Sequence, residues 1–205
     1  PAEDFTKGIA ISAGFHPDNR THIETVRYGK GQTAMSFLTT ILPDRSIPLP
    51  GLIRWGISII RSPIQFIANL YPFNWARKTI ILLVMQPIDN YLKLNYKSRW
   101  WRLGGFSMNS QSSDGKKIPS HIPVAEKTAD AIIQKRKGTV TTTYMDAILN
   151  IPTTAHILGG ACMGNDIHSG VIDENFEVFN YPGMYVIDGS VVPSNLGVNP
   201  SLTIT

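Results

Sequence analysis

The residues best suited to chemistry gather toward the end of the chain. His156 stands just before the pair Gly159-Gly160, whose missing side chains let another backbone or a flat ligand come close. An imidazole in that setting can take a proton near neutral pH and act as a general base. The plainer alternative is a His that only caps a turn. Downstream, Asp188-Gly189 closes the apolar run Met184-Tyr185-Val186-Ile187, and Asn199-Pro200 precedes Ser201-Leu202-Thr203-Ile204. Asn followed by Pro reads as a helix start, with Asn as N-cap and Pro at the first helical position. A strand ending in Asp-Gly, a loop and a helix N-terminus together can hold an anionic group, because free N–H groups and the positive end of the helix dipole face it.

These residues need elements to position them. Met184 to Ile187, between Tyr181-Pro182-Gly183 and Asp188-Gly189, reads as a short buried strand bounded by turns. A polar loop with Pro193, Asn195 and Gly197 follows. Near the start, Gly8 to Ser12 and Thr21 to Tyr28 read as strands joined by the turn Pro17-Asp18-Asn19, and Gln32 to Leu42 as a helix. Gly29-Lys30-Gly31-Gln32-Thr33-Ala34 matches a G-x-G-x-x-A pattern. No acid follows about 20 residues on, and Pro43, Pro48 and Pro50 break the unit, so the match reads as a tight turn.

Leu49 to Tyr71 is apolar but carries Arg54, Arg61 and Pro63, which argue against a membrane-spanning helix. The plain reading is two helices. The sharper one is an amphipathic lid touching a lipid surface, since Leu52, Ile53, Ile57, Ile60, Ile64 and Ile67 recur at helical spacing; such a stripe is more often core. Thr79 to Met85 reads as a central strand, with Asn90 to Lys97 and Arg102 to Met108 pairing onto it antiparallel. Trp100 and Trp101 read as aromatic core or as the lining of an apolar pocket. Ser120 to Lys137 is the clearest helix, ended by Gly138.

Composition narrows the classes. Across 205 residues the hydrophobic share is 42% and the charged share 17%, values of a globular chain. The net charge of +4 is mild, and its basic residues are scattered apart from Lys135-Arg136-Lys137, which suits a helix C-terminus better than nucleic acid. A single cysteine, Cys162, excludes an internal disulfide and reads as a small buried thiol. His16, His22, His121 and His168 read as surface or turn residues, too dispersed for a metal motif. No leader of the basic-then-apolar kind is visible. The opening Pro1-Ala2-Glu3-Asp4 and the short helix after Asn199 suggest a piece of a longer protein.

Taken together, Thr154-Ala155-His156-Ile157-Leu158-Gly159-Gly160, Val186-Ile187-Asp188-Gly189-Ser190 and Asn199-Pro200-Ser201-Leu202-Thr203-Ile204 resemble the C-terminal signature of the glucose–methanol–choline (GMC) flavin oxidoreductases. Thr21 to Gly31 and Thr79 to Gln86 extend the likeness, which is patchy between residues 43 and 78. The closest resemblance is to the bacterial cholesterol-oxidase branch, where the partner of the His is Asn, here Asn199.

The resemblance implies a fold of the α+β (mixed α/β) class, with an antiparallel sheet and helices forming a substrate-binding domain over residues 1–150. The apolar helical insert would occupy about 43–78. Residues 151–205 would return to the edge of an FAD-binding domain whose N-terminal βαβ unit lies outside this chain. It further implies oxidation of an alcohol by non-covalent FAD, with oxygen as acceptor. His156 would take the hydroxyl proton and Asn199 would orient substrate or reduced flavin. Glu24 would be the carboxylate base of a double-bond isomerisation; a Glu paired with Arg27 or Lys30 is the competing reading. Asp188, Gly189, Asn199, Pro200 and Ser201 would meet the FAD. The apolar 49–71 segment favours a sterol or other hydrophobic alcohol. The implied setting is cytoplasmic or membrane-peripheral in a bacterium. An oxidase or dehydrogenase for another hydrophobic alcohol, and a non-catalytic sterol- or lipid-binding module, are the alternatives.

Overall fold

A computed structural model describes residues 4–71, 73–88, 91–98, 105–112, 118–136, 138–151, 153–154 and 156–204, with the backbone alone at 201 and 202. Helices and small antiparallel sheets are mixed along the chain. The first sheet contains β1 (Ile11–Asp18), β2 (Thr21–Val26) and β4 (Ile81–Met85) in the order β1-β2-β4, so β2 is central. Glu24 lies opposite Gly14 on one side and Leu83 on the other. Ile23, its neighbour in β2, is fully buried, as expected where successive side chains point to opposite faces.

The first strand begins later than the sequence suggests and runs through Pro17. Pro17 is tolerated because β1 is an edge strand and its register shifts between Phe15 and Asp18. The turn falls at Asn19-Arg20, where the Asp18 carboxylate accepts from the Arg20 N–H at 2.9 Å. Lys30–Leu38 forms a 3₁₀ helix, not an α-helix, and is followed at once by β3 (Thr39–Ile41). Its first turn closes from Gln32 N–H to the Gly29 carbonyl, so the glycine pair serves as a turn.

The apolar 49–71 segment forms two helices, α1 (Gly51–Arg61) and α2 (Pro63–Leu70), broken at Ser62-Pro63. Trp55 anchors α1: its indole N–H donates to buried Thr40 at 2.9 Å, and its ring packs edge-on against Phe66 and Tyr144. Gly51 is required here, because a Cβ would collide with the Ile148 carbonyl. α1 therefore packs on α5 (Tyr144–Leu149), while β3 pairs with β7 (Thr141–Thr143). The opposite face of the helices is bare. Ile60 is 81% exposed, Ile64 79% and Ile67 64%, and Leu52 and Ile53 are also exposed. Apart from half-buried Ile57, the stripe is surface, not core.

After α3 (Trp75–Lys78) and β4, two further strands depart from expectation. β5 (Leu92–Ser98) and β6 (Phe106–Ser112) pair with each other as a separate hairpin and do not extend β4. Trp100 and Trp101 lie outside the described residues. Helix α4 (Pro123–Arg136) falls where the sequence places it. It is tied to the rest by Arg45, whose buried guanidinium meets Glu126 at 2.8 Å, Asp146 at 2.5 Å and the Ser120 carbonyl at 3.2 Å. His121 adds a contact to Glu126 at 3.1 Å.

From Ala161 to Ile187 the chain is irregular and held by local turns. Asp166 accepts from the His168 and Ser169 amides, and Asp173 from those of Asn175 and Glu177. Met184 to Ile187 carries only an isolated bridge, Tyr185 to Glu177. Met184, Tyr185 and Ile187 are exposed, contrary to the buried-strand reading, because no layer among the described residues covers them. Cys162 is exposed as well. The last helix is α6 (Ser201–Ile204). No helix among the described residues is long and apolar enough to cross a membrane.

Candidate active site

The site begins with Glu24, held on the central strand of the first sheet with its side chain 11% exposed. A carboxylate so placed needs hydrogen-bond donors, and two reach it. The Asn199 amide nitrogen donates to Oε2 at 3.2 Å, although the two residues lie far apart in sequence. His22 Nε2 stands 3.1 Å from Oε1. Neither Arg27 nor Lys30 is its partner. The Arg27 guanidinium donates instead to the Lys7 carbonyl at 2.9 Å.

A docked loop delivers Asn199 to this position. The Asn195 side-chain amide donates to the Gln86 carbonyl at 2.9 Å, just past β4. The Gly197 N–H returns to Asn195 Oδ1 at 2.9 Å, and Gly197, at φ 73°, lies against the Pro87 ring. Gln86 itself donates to buried Thr21 at 2.9 Å, at the start of β2. The loop thus sits on the sheet end that carries Glu24. Asn199 does not begin the helix in the manner its type suggests: the carbonyl that accepts the first helical amides, from Thr203 and Ile204, belongs to Pro200. The Asn199 amide is committed to Glu24.

His22 was missed by sequence reading. It is half-buried in β2, not in a turn, and its Nδ1 lies 3.0 Å from Nε2 of His16 on the exposed edge strand. Alternation in β2 was the available signal, since residues 22 and 24 share a face. Thr21 to Tyr28 reads as a strand from the sequence, but its polar and apolar residues do not alternate cleanly, so no shared face stands out.

His156 belongs to a second cluster. Its backbone is set by Thr154, whose hydroxyl accepts from the His156 N–H at 3.2 Å, and its ring makes no hydrogen bond among the described residues. The chain beyond it lies along residues 189–190: Gly159 N–H donates to the Gly189 carbonyl at 3.2 Å and Ala161 N–H to the Ser190 carbonyl at 3.1 Å. Gly159 and Gly160 both have positive φ, 76° and 115°, which suits glycine. A Cβ on Gly189 would meet the Ile157 carbonyl at 3.1 Å and the Ile204 side chain at 3.3 Å. The stretch 157–158, Gly189 and α6 are therefore neighbours.

Asp188 caps the short turn Gly189–Val191. The Ser190 hydroxyl donates to its Oδ1 at 2.6 Å and the Ser190 N–H at 2.8 Å. Those bonds, the hydroxyl first, hold its carboxyl below the usual aspartate range, so it is ionised at neutral pH. Oδ2 of Asp188 and the N–H of Gly189 make no hydrogen bond among the described residues, and nothing would meet a Cβ at Gly160 within 4 Å. A ligand presenting both a donor and an acceptor would fit that arrangement.

An open groove of about 460 Å³ lies between β1 and α4, lined by Phe15, Val124, Ile132 and Lys135 among others. Phe15 pairs with Ile23, so the groove opens on the sheet face opposite Glu24. It is not part of this site.

A family model described as GMC oxidoreductase matches residues 98–205. A cholesterol oxidase from Acinetobacter baumannii is 37% identical over 203 residues, covering 98% of this chain and 36% of that protein. A cholesterol oxidase from Mycobacterium tuberculosis is 40% identical over 208 residues, covering 100% of this chain and 36% of that protein. A long-chain-alcohol oxidase from Arabidopsis thaliana is 32% identical over 108 residues, 49% of this chain and 13% of that protein. The chain thus spans 36% of the length of the two cholesterol oxidases. No solved structure matches it.

Proposed function

The chain belongs to the GMC oxidoreductase family, and from that premise we propose that it is the C-terminal, substrate-binding portion of an FAD-dependent alcohol oxidase acting on a sterol. The reaction would convert the 3β-hydroxyl of cholesterol or a related sterol to the ketone, with oxygen as acceptor and with isomerisation of the ring double bond. The observation that carries this reading is the Glu24–Asn199 hydrogen bond, which brings together two distant residues assigned to one reaction. Likeness to cholesterol oxidases along essentially the whole chain supports the sterol.

In this reading His156 takes the proton of the substrate hydroxyl. Asn199 holds Glu24 in place and orients the alcohol. Glu24, a carboxylate in a largely dry position, removes a proton from the ring carbon beside the new ketone and returns it further along the ring. FAD, when bound, would supply the hydride acceptor and the redox chemistry with oxygen. The residues present fit that cofactor: Asp188 and Gly189 offer an acceptor and an N–H, and Asn199 and Pro200 lead into the start of α6, whose Ser201 N–H has no intrahelical partner. The exposed apolar face of α1 and α2 would meet the lipid surface from which a sterol must be drawn.

A second reading is supported by the plant relative: the substrate could be a long-chain alcohol. One experiment separates the two. The full-length flavoprotein is mixed anaerobically with cholesterol, and the flavin's visible absorbance is followed. Prompt bleaching, reversed by air with release of peroxide, is expected. Bleaching by long-chain alcohols but not by cholesterol would transfer the assignment to them, and no bleaching by either would remove both.

A further inference from the structure

The function proposed above uses Glu24, and this inference rests on that reading, but two hydrogen-bonded histidines beside the carboxylate remain without a role. We propose that His22 and His16 form a proton relay joining Glu24 to bulk water. The row is continuous: Glu24 Oε1 to His22 Nε2 at 3.1 Å, then His22 Nδ1 to His16 Nε2 at 3.0 Å. Both distances are within hydrogen-bond range. It ends in solvent, since His16 sits on the exposed edge strand, while the Glu24 and His22 side chains are only 11% and 14% exposed.

The surroundings leave this row as the route. On β4, the residues opposite Glu24 and His22 are Leu83 and Met85, which carry no proton. Among the described residues of the C-terminal loop, only the neutral Asn199 amide reaches Glu24. On β1, Gly14 lies opposite Glu24, and a Cβ there would stand 3.0 Å from His22 Cε1 and 3.3 Å from its Nε2. The absent side chain is what lets the His22 ring lie across the strand between its two partners. No Lys, Arg or Asp pairs with Glu24, His22 or His16 among the described residues.

A neutral imidazole has one donor and one acceptor, so two in series can be ordered only two ways. With Glu24 ionised, His22 donates from Nε2 and accepts at Nδ1 from the Nε2 proton of His16. A proton arriving from water at His16 Nδ1 displaces the Nε2 proton to His22 Nδ1, and the Nε2 proton of His22 passes to Glu24 Oε1. One proton enters, one reaches the carboxylate, and both rings stay neutral with their protons on Nδ1. The reverse transfer restores the first state without turning either ring. The reverse transfer therefore takes a proton from protonated Glu24 to water and leaves the carboxylate ionised beside a protonated His22 Nε2, the state in which it can act as a base.

The test uses the full-length flavoprotein with ¹⁵N-labelled histidine. Long-range ¹H–¹⁵N spectra are expected to show one tautomer at each of His16 and His22 and a coupling across the N–H···N bond. Glu24→Gln, which removes the charged acceptor, should change both rings together. Averaged tautomers in both rings, or a Glu24→Gln protein with His16 unchanged, would overturn the relay. This arm needs no substrate and stands apart from the alcohol assignment. The second arm reads proton exchange between Glu24 and water directly, as the growth of its carboxylate band in infrared difference spectra after a pH jump. His22→Phe should slow that growth, and an equal rate in His22→Phe would overturn the proposal. Should that variant not fold, His16→Ala, at an exposed position, must slow it at low buffer and regain it with added imidazole. Isomerisation of an unconjugated 3-ketosteroid is measured beside it. Intact ring coupling without any isomerisation would sink the isomerase reading and uphold the relay.

Discussion

Ile60 and Ile64 offer a direct test of whether the bare face of α1 and α2 meets lipid. They are 81% and 79% exposed, so neither supports the packing of Trp55 on Thr40 that anchors the helix from its other side. Fully burying one isoleucine is worth roughly 1.5–3 kcal/mol. With about four-fifths of each side chain available, and shallow immersion at an interface, the pair contributes about 3 kcal/mol. The double change Ile60→Ser with Ile64→Ser should therefore weaken partitioning onto zwitterionic phosphatidylcholine vesicles by on the order of 10²-fold, since 1.4 kcal/mol is a factor of ten. Fold stability should shift by no more than about 0.5 kcal/mol, as for surface positions generally. Co-sedimentation of the full-length protein with sucrose-loaded vesicles, at low and high salt, measures the loss. An apolar contact predicts no salt dependence, whereas a charge contact is screened. Unchanged partitioning in the double variant, or no vesicle binding by the parent protein, would refute the assignment of this face to lipid.

Three further outcomes are expected. Arg45→Met strands the Asp146 and Glu126 carboxylates that the guanidinium joins; breaking a buried pair in this way costs 3–5 kcal/mol, and the 28% exposure of Glu126 argues for the lower end, about 3 kcal/mol, read as a drop in denaturation midpoint. Ser190→Ala removes the hydroxyl that most lowers the Asp188 carboxyl, so its NMR titration should move up toward the ordinary aspartate range. The sign follows: a lowered carboxyl favours the folded or ligand-bound form above the ordinary carboxylate range and loses that effect as pH falls through its own midpoint, so any Asp188-dependent flavin affinity should vanish at higher pH in the variant. Gly14→Ala places a methyl 3.0 Å from His22 Cε1 and should displace the ring from Glu24, seen as a change in the His22 nitrogen shifts with the flavin spectrum unaltered; unchanged shifts would show that the ring has room to spare.

How far the sequence carries depends on whether a residue's role is local. Helix α4 and the pair α1–α2 were legible because punctuation at Pro63, Pro123 and Gly138 is a property of the chain itself. The glycines at 159 and 160 were legible as a place of close backbone approach, and both adopt positive φ. What failed was whatever depends on a distant partner. β5 and β6 look as though they should extend β4, yet they pair with each other, since strand propensity does not name the neighbour. The apolar stripe of α1 and α2 has the period of a core face, but periodicity cannot distinguish a face turned inward from one left bare. Asn199 has the residue type of an N-cap, and its amide instead serves Glu24. His22 was passed over because one histidine carries no signal until its strand partners are known.

The two clusters of the candidate site are held in different ways, and that difference bears on how the site can be tuned. Glu24, His22 and Asn199 are fixed by the first sheet: Gln86 binds Thr21 through its side chain and Asn195 through its carbonyl, so docking of the C-terminal loop and seating of the carboxylate are one event. His156 is fixed by backbone bonds from the following residues to Gly189 and Ser190, and by nothing from that sheet among the described residues. The segment from 189 to 199 is common to both. Displacing it at Asn195 would disturb the carboxylate cluster first, whereas displacing it at Gly189 would act on the His156 side. In the proposed function His156 and Glu24 are the bases for the hydroxyl proton and for the carbon proton, and separate anchors let each be altered without the other.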